Sequence, residues 1–384
     1  MKILQLGKFY PIRGGVEKVM WDLTLGLAER GISCDMLCAV LPKDKVDDEH
    51  QPLVVESKEA LELSFGPYGR VIGVRAVTKL AGTMISPAMI LWLRKHAKEY
   101  DIIHVHHPDP MAALALWHSR YKGRVFLHWH SDILRQKFLL GFYKPLQDWL
   151  INRAELIIGT TPVYIRESPY LTHVQDKVTF VPIGIQPIIY TPWEAEEMRA
   201  RYPGRKIVFA LGRLVPYKGF STLIAAAERL GPEYLVLIGG MGPLREELEQ
   251  QIVALGVQDR VKMLGFISVA ELPAVFGACD VYVMSSNQKT EAFGIVQIEA
   301  MSCGKPVVAT RIPHSGVSWV NQDGTSGLNV PPDDPKNLAF AIRRICDDEK
   351  TYRKFAAGAM ARYEKFFTSR QMIDKIINIY ENKD

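Results

Sequence analysis

Residues 291–310 read EAFGIVQIEAMSCGKPVVAT, a segment that forms a predicted helix near 293–303 and then runs into the β-branched strand PVVAT. Such a helix-to-strand step is the repeating unit of parallel sheets that carry helices on both faces. The same alternation continues on either side of this stretch. It therefore predicts an α/β fold with parallel strands.

The chain starts this architecture twice. From Lys206 onward the predicted strands are IVFALGR, YLVLIGG, RVKMLGF, DVYVMSS and PVVAT, separated by predicted helices near 219–230, 242–255, 268–278 and 293–303. In the first half the predicted strands cover 2–7, 33–40, 102–107, 124–130, 155–160 and 178–183, and a helix covers 15–30.

Two domains are expected, because 384 residues exceed what one hydrophobic core usually holds. Three prolines between residues 182 and 192 favour an extended connector, which predicts a hinge near 184–192. We expect one domain at 1–184 and another at 185–368, with 369–384 forming an amphipathic helix on the first. Ligands of open α/β sheets bind at the carboxyl ends of the strands, so we expect the site in a cleft that both domains face.

Glu291 and Glu299 are the first candidate ligand-binding residues. One precedes the predicted helix and the other lies within it, so the two carboxylates reach different parts of one ligand. A carboxylate in an apolar helix needs a partner, which is either a pair of ligand hydroxyls or a buried Arg or Lys. The first helical N–H groups suit a phosphate, and they belong to Gly294, Ile295 and Val296.

Two loops carry further candidates. Gly14 and Gly15 precede the first predicted helix, where glycine lets the backbone approach an anion, although for this loop taken alone an ordinary tight turn is the favoured explanation. Arg213 and Lys218 leave a predicted strand, where they could neutralise a diphosphate or simply be solvated. The sequence GGMGPL, residues 239–244, has some features of a dinucleotide fingerprint but lacks the full GxGxxG.

Five histidines cluster in HVHH, residues 104–107, and HWH, residues 128–130. His128 and His130 share one face of a strand, so a metal site has to be considered. Because no set of nearby carboxylates completes a ligand shell, we favour no metal and a single active-site histidine, His130.

Composition narrows the function classes. Apolar residues make up 48% and charged residues 23%, as in a folded soluble protein, and the net charge of +5 is too mild and scattered to favour nucleic acid. The five cysteines show no paired spacing, which indicates a reducing, cytoplasmic setting. Neither a leader segment nor a membrane span is predicted.

The segment LRQKFLLGFYKPL, residues 134–146, contains both basic and aromatic residues. It either lies at a membrane interface or packs beneath the sheet.

These residues together resemble glycosyltransferase family 4, whose members have the GT-B fold of two Rossmann-like domains. The resemblance spans nearly the whole chain and rests on RGGVEKV, HWHSD, VPIGI, GRLVPYKG, GGMGPL and the paired-glutamate stretch from Glu291 to Glu299. It departs from the family pattern at Ile183 and Gln186, where the family often has Asn and Asp; both positions belong to the hinge rather than to the site.

The resemblance implies roles for the candidate residues. Gly15, beside Gly14, would lend its backbone to the donor phosphate, and Arg213 and Lys218 would hold the diphosphate in place of a metal ion. Glu299 would bind the ribose hydroxyls of the nucleotide, and Glu291 would bind the hydroxyls of the transferred sugar. His130 would stand close to the anomeric carbon. The expected reaction retains the anomeric configuration, with the leaving phosphate accepting the proton of the acceptor.

The opening of the chain looks most like mannosyl- and rhamnosyltransferases of surface polysaccharide assembly, so GDP-mannose is the first expected donor, with UDP-sugars next. The expected acceptor is a glycan or a polyprenyl-linked oligosaccharide, in the cytoplasm or at the cytoplasmic face of the membrane. Three competing functions stay open. They are a sugar-nucleotide 2-epimerase on the same fold, an idle sugar-nucleotide-binding protein, and an NAD-dependent dehydrogenase.

Overall fold

The computed structural model describes residues 1–12, 14–41, 55–56, 60–80, 82–133 and 137–382, with the backbone alone at 55–56, 137–140 and 142. The chain divides into two compact units, Met1–Ile183 with Ser369–Asp384, and Gly184–Thr368. Each unit is a Rossmann-like α/β domain, which confirms the predicted fold class.

The first unit is built on a nine-stranded sheet in the order β11-β10-β9-β8-β1-β2-β5-β4-β3. Pairing is parallel from β11 through β5 and antiparallel for β4 and β3 at one edge. The strands of this unit are β1 Lys2–Tyr10, β2 Ser33–Val40, β3 Val55–Glu56, β4 Leu61–Ser64, β5 Gly69–Arg75, β6 Thr78–Leu80, β7 Thr83–Ile85, β8 Ile102–His107, β9 Arg124–Trp129, β10 Leu156–Gly159 and β11 Val178–Phe180. β6 and β7 form a separate hairpin.

Helices of the first unit are α1 Gly15–Glu29, α2 Pro87–His96, α3 Pro110–Ser119, α4 Lys137–Arg153 and α5 Pro162–Arg166, together with the last helix of the chain, α14 Ser369–Tyr380. α14 packs on α1. A Cβ added at Gly26 would come 2.0 Å from Cδ1 of Ile373, and Nη2 of Arg30 donates to Oδ1 of Asp374 at 3.0 Å. The far end of α14 reaches the central strands through Tyr380, which is buried.

The second unit has a six-stranded, wholly parallel sheet in the order β14-β13-β12-β15-β16-β17. Its strands are β12 Lys206–Leu211, β13 Tyr234–Gly239, β14 Val261–Gly265, β15 Val281–Met284, β16 Val307–Thr310 and β17 Gly327–Val330. The strand order reverses its direction between β12 and β15. This is the topological switch point, the place where open α/β sheets leave a crevice at their carboxyl edge.

Eight helices of the second unit cover its sheet: α6 Pro192–Ala200, α7 Phe220–Ala227, α8 Arg245–Ala254, α9 Leu272–Ala278, α10 Ile295–Ser302, α11 Val317–Val320, α12 Pro335–Cys346 and α13 Glu349–Phe366, as far as the structure describes residues 184–368. The core under α7, α8 and α12 consists of buried aliphatic side chains such as Leu223, Ile238 and Ile342. Ile238 comes from a predicted strand, whereas Leu223 and Ile342 lie on the helices that cover it.

Most predicted strands and helices are observed, with ends that differ by a few residues. The strands that sequence analysis missed are β3 to β7 and β17. β5 is an interior strand of seven residues, most of them buried. The others have two to four residues, and several lie at sheet edges, where fewer side chains are buried and the apolar pattern is correspondingly weak.

Candidate functional site

The predicted donor-binding residues of the second unit follow the two strands at the switch point. Arg213 and Lys218 come from the segment after β12, where Pro216–Lys218 forms a short 3-10 helix. Glu291 comes from the segment after β15. The sheet topology thus brings together side chains that are 73 positions apart in sequence.

Lys218 and Glu291 form an ion pair, with 2.5 Å between Nζ and Oε2. Both side chains are largely shielded, at 13% and 12% exposure. Burial alone would lower the pKa of Lys218, but the nearby carboxylate of Glu291 outweighs it and raises that pKa. Ser286 Oγ also donates to Oε2 of Glu291, at 3.2 Å. The carboxylate of Glu291 therefore favours the charged form of Lys218 at the switch point.

α10 begins beside this ion pair, with Gly294 as its N-cap. Gly294 has φ 78°, and a Cβ there would come 2.5 Å from Sδ of Met284, so the position requires glycine. Ile295 and Val296 form the first turn and are partly exposed. Their N–H groups have no acceptor within the helix, because the first turn of any α-helix leaves its donors unpaired. The turn is therefore a suitable anion site.

Glu299 lies on α10 one turn before its end and is partly exposed. Burial and then the charges of Glu291 and Glu299 raise the pKa of Tyr282, a buried β15 residue, well above its ordinary value. Both carboxylates therefore lie within electrostatic reach of one tyrosine. The predicted pairing of two glutamates along one ligand is compatible with this arrangement.

Arg213 is exposed and lies close enough to Lys218 for its charge to lower the pKa of that lysine. The neighbouring GGMGPL loop forms backbone hydrogen bonds with the segment that carries Arg213. Gly212 N donates to Gly239 O at 3.1 Å, and Leu214 N donates to Met241 O at 2.9 Å. Gly240 has φ 131°, and a Cβ there would come 1.9 Å from Gly212 O. The glycines of this loop therefore serve close backbone packing against the segment that carries Arg213.

In the first unit, Gly14 is the N-cap of α1 and Gly15 is its first residue, and both are exposed. Glu17, in the first turn, is buried and turns back towards them. A Cβ added at Gly14 would come 2.4 Å from Oε2 of Glu17. The sequence analysis did not anticipate that a carboxylate would already lie at this helix N-terminus.

His130, the predicted active-site histidine, lies just after β9 at the end of a buried column of imidazoles. His104 and His106 on β8 and His128 on β9 are at most 1% exposed, whereas His130 is 5% exposed. Burial first, and neighbouring positive charge second, lower the pKa of His130 well below its usual range. Burial likewise lowers the pKa of His128 to about 3. These rings are therefore neutral near pH 7.

Nitrogen atoms of His106, His128 and His130 all lie within 4.8 Å of one another, the spacing of a metal-binding group. The ring orientations argue against it. The rings of His128 and His130 stack face to face, 4.1 Å apart at 8°, so their in-plane lone pairs run parallel instead of converging. His106 Nδ1 and His130 Nε2 lie 2.9 Å apart and share a hydrogen bond. The arrangement suits hydrogen bonding better than metal ligation.

The loop after His130 is fixed by Asp132, which sequence analysis did not single out. Its Oδ1 accepts from Trp129 Nε1 at 2.9 Å and from Ser168 Oγ at 2.7 Å. Its backbone N–H donates to the hydroxyl of Tyr164 at 2.8 Å. The HSD motif therefore combines a buried histidine with a buried aspartate that anchors the turn.

The basic and aromatic segment 134–146 falls largely outside the described residues. The backbone of α4 begins at Lys137, but residues 134–136 and the side chains of 137–140 and 142 are not described. Among the described helices, none is long and apolar enough to cross a bilayer. Cys34, Cys38, Cys279, Cys303 and Cys346 are all free thiols.

Comparison with known families assigns both halves of the chain. Residues 13–188 match the family described as Glycosyltransferase Family 4, and residues 193–362 match Glycosyl transferases group 1. A D-inositol 3-phosphate glycosyltransferase of Stackebrandtia nassauensis is 33% identical over 96% of this chain and 86% of its own length.

Other relatives extend over nearly the whole length of both proteins. The O-antigen chain mannosyltransferase C of Escherichia coli is 29% identical over 99% of this chain and 98% of its own. D-rhamnosyltransferase WbpZ of Pseudomonas aeruginosa is 29% identical over 96% and 93%. Among solved structures, Anabaena Alr3699/HepE in complex with UDP superposes with a TM-score of 0.78 at 24% identity, covering 100% of both chains. This last likeness concerns the fold.

Proposed function

The chain belongs to glycosyltransferase family 4, and from that membership we propose that it transfers a hexose from a nucleotide-sugar to a growing surface polysaccharide. The proposed sugar is mannose from GDP-mannose, and the proposed acceptor is a glycan or a polyprenyl-linked oligosaccharide. Two relatives that match nearly full length, the O-antigen mannosyltransferase and the D-rhamnosyltransferase, support this class of product. The proposed transfer retains the anomeric configuration and requires no metal ion.

The ion pair of Lys218 and Glu291 beside the first turn of α10 carries the proposal. A nucleotide diphosphate needs cations and N–H donors, whereas a sugar needs hydrogen-bond acceptors for its hydroxyls. Both kinds of group occur at this switch point. When the donor binds, its phosphate replaces Glu291 as the partner of Lys218. Glu291 then accepts hydrogen bonds from the sugar hydroxyls. Each side chain thus has a partner of opposite charge until the ligand replaces it.

The proposed chemistry follows from these charges. As the bond between sugar and phosphate breaks, negative charge grows on the leaving diphosphate, and Lys218 and Arg213 stabilise it. The leaving phosphate oxygen then takes the proton of the acceptor hydroxyl, which attacks from the same face of the sugar. Because the phosphate takes both the charge and the proton, no carboxylate is needed as a nucleophile, and Glu291 keeps its proposed role of binding the sugar hydroxyls. The cations supply the neutralisation that a metal ion supplies in other enzymes.

The remaining candidates receive the roles that family membership suggests. We assign the ribose hydroxyls to Glu299, a phosphate to the N–H groups of Gly294, Ile295 and Val296, and a sugar hydroxyl to His130. Gly15 would reach the phosphate through its backbone N–H. The buried carboxylate of Glu17 lies against the same helix N-terminus. A substitution of Glu17 therefore tests the role proposed for Gly15.

We place the enzyme in the cytoplasm, with peripheral contact at the membrane through segment 134–146. The free cysteines suit a reducing compartment. The membrane contact is tested by liposome flotation with Phe138 and Phe142 both changed to Ser. Unchanged flotation of the double variant would remove this part of the proposal.

The test of function is a donor panel. The full chain is mixed with GDP-, UDP-, ADP- and dTDP-sugars in EDTA, and thermal stabilisation and donor hydrolysis are recorded. Stabilisation by GDP-mannose, with release of GDP in the presence of EDTA, is expected. The UDP-sugars are included because a solved structure of the same fold holds UDP.

Two variants make this panel specific. Glu299→Ala should lose the stabilisation because the ribose loses its partner, whereas Glu228→Gln, an exposed carboxylate at the end of α7, should keep it. No response of the unmodified protein to any donor would contradict the proposed function. A response to UDP-sugars alone would overturn GDP-mannose but keep the reaction class.

A further inference from the structure

A continuous chain of buried polar side chains leads from the last helix of the protein to His130. Gln5 Nε2 donates to the hydroxyl of Tyr380 at 3.2 Å, and Gln5 Oε1 lies 2.7 Å from His106 Nε2. His106 Nδ1 in turn lies 2.9 Å from His130 Nε2. Every member except His130 is at most 1% exposed.

The amide of Gln5 gives this chain a direction. Its nitrogen faces Tyr380 and also lies 3.8 Å from Sγ of Cys34, so its oxygen faces His106. An amide oxygen only accepts, so His106 must carry a proton on Nε2 and leave its Nδ1 as an acceptor. His130 must then donate from Nε2 to His106. Its own Nδ1 is left with a lone pair.

The assignment of donors and acceptors requires that the imidazole rings be neutral. Burial lowers the pKa of His104, His106 and His130 well below the usual histidine value. A neutral imidazole has one donor and one acceptor nitrogen, and the bond at one nitrogen decides the role of the other. The face-to-face stack with His128 holds the plane of the His130 ring.

We propose that Gln5, His106 and Tyr380 are positioning residues that hold His130 as its Nε2–H tautomer, so that His130 presents a hydrogen-bond acceptor to the donor sugar. The tautomer rests on this orientation of the Gln5 amide, and its use in sugar transfer rests on the role proposed for His130. A sugar hydroxyl would donate to Nδ1. A ligand offering only an acceptor at that point would be disfavoured.

The tautomer can be measured on the full-length protein. After labelling with ¹⁵N-histidine, the nitrogen chemical shifts at pH 7.5 distinguish protonated from unprotonated ring nitrogens, and a His130→Gln variant identifies the His130 signals by their loss. A protonated Nε2 and an unprotonated Nδ1 are expected. The opposite assignment would overturn the proposal.

Substitution of Gln5 should invert this result. In Gln5→Leu the His106 Nε2–H would be buried without an acceptor, which is costly, so His106 should move its proton to Nδ1 and donate to His130. His130 should then become the Nδ1–H tautomer, and kcat should fall about tenfold. Gln5→Glu, which can only accept when ionised, should keep the Nε2–H form and rescue kcat. An unchanged tautomer in Gln5→Leu would overturn the proposal.

Tyr380→Phe provides a second route in case Gln5→Leu folds poorly. It removes the hydroxyl that receives the amide N–H and that also lies 2.5 Å from His104 Nδ1, so a mixture of His130 tautomers is expected. The control is Tyr121→Phe, which removes a hydroxyl that donates to Tyr100 O at 2.9 Å in the same unit; Tyr121 is 8% exposed. The control should leave the tautomer and kcat unchanged.

The two hypotheses fail in different ways. If His130→Gln leaves kcat unchanged while the ¹⁵N shifts behave as expected, the positioning of His130 stands and its proposed part in sugar transfer is wrong. If Tyr380→Phe and Tyr121→Phe leave His130 equally unaffected, the chain does not set the tautomer, whatever the enzyme transfers.

Discussion

The two polar clusters of this protein solve the problem of a buried polar group in opposite ways. The histidine column of the first unit is neutral, because burial lowers the pKa of each ring. Lys218 and Glu291 in the second unit form an ion pair that raises the pKa of the lysine. In a neutral hydrogen-bonded chain, each group determines whether its neighbour donates or accepts. An ion pair instead provides two opposite charges that a charged ligand can contact. The first arrangement suits a sugar and the second a diphosphate.

The largest expected effect on kcat comes from removing the cation of the ion pair, Lys218. Lys218→Ala should lower kcat by about a hundredfold to a thousandfold, because the leaving diphosphate loses a preorganised cation. Glu291 would also lose its counterion, and stability should fall by roughly 1–3 kcal/mol. Steady-state kinetics and urea unfolding measure the two effects. Lys262→Ala, an exposed lysine on β14, is the control and should change neither. Equal kcat values for the two variants would show that Lys218 does not act on the donor.

The pH dependence of stability tests the neutral cluster. The folded pKa of His128 is about 3, below the ordinary 6.5, so the unfolded chain binds more protons as the pH falls. The stabilising effect of neutrality is complete above pH 6.5 and is lost between 6.5 and about 3, by up to about 1.4 kcal/mol per pH unit for this residue. Urea unfolding at pH 7.5 and 5.0 should therefore show a smaller loss for His128→Leu than for the unmodified protein.

The matched control for that experiment is His118→Gln, since His118 is exposed on α3. Its loss of stability between pH 7.5 and 5.0 should equal that of the unmodified protein. Equal pH dependence for the His128→Leu variant and the unmodified protein would mean that His128 is not held neutral by folding.

The smallest effect is expected at the exposed edge of the charged cluster. Arg213→Ala should lower kcat by about tenfold, less than Lys218→Ala, because Arg213 is exposed and solvent already screens its charge. Folding should be unaffected, since Arg213 lies outside the buried core of its unit. A loss as large as that of Lys218→Ala would show that the two cations contribute equally, against the ranking by burial.

Sequence analysis identified the fold because buried parallel strands leave apolar runs that can be read locally. It also singled out Lys218 and Glu291, but as separate ligands rather than as partners, because a contact across 73 positions leaves no local pattern. Gln5 and Tyr380 are 375 positions apart and had no signal beyond a polar residue inside an apolar strand. The histidines were visible as a cluster. Their hydrogen-bond direction depended on Gln5 and so could not be predicted.

The place of α14 along the chain has a consequence for biosynthesis. This helix follows the whole second unit in sequence, yet it packs on α1 and brings Tyr380 to Gln5. During translation the rest of the first unit emerges early but lacks this helix until residues 369–380 have left the ribosome. A nascent chain without α14 therefore leaves uncovered the face of α1 on which that helix packs, and it lacks the hydroxyl that faces the Gln5 amide. In our proposal, His130 reaches its working form only after α14 has been synthesised and has packed on α1.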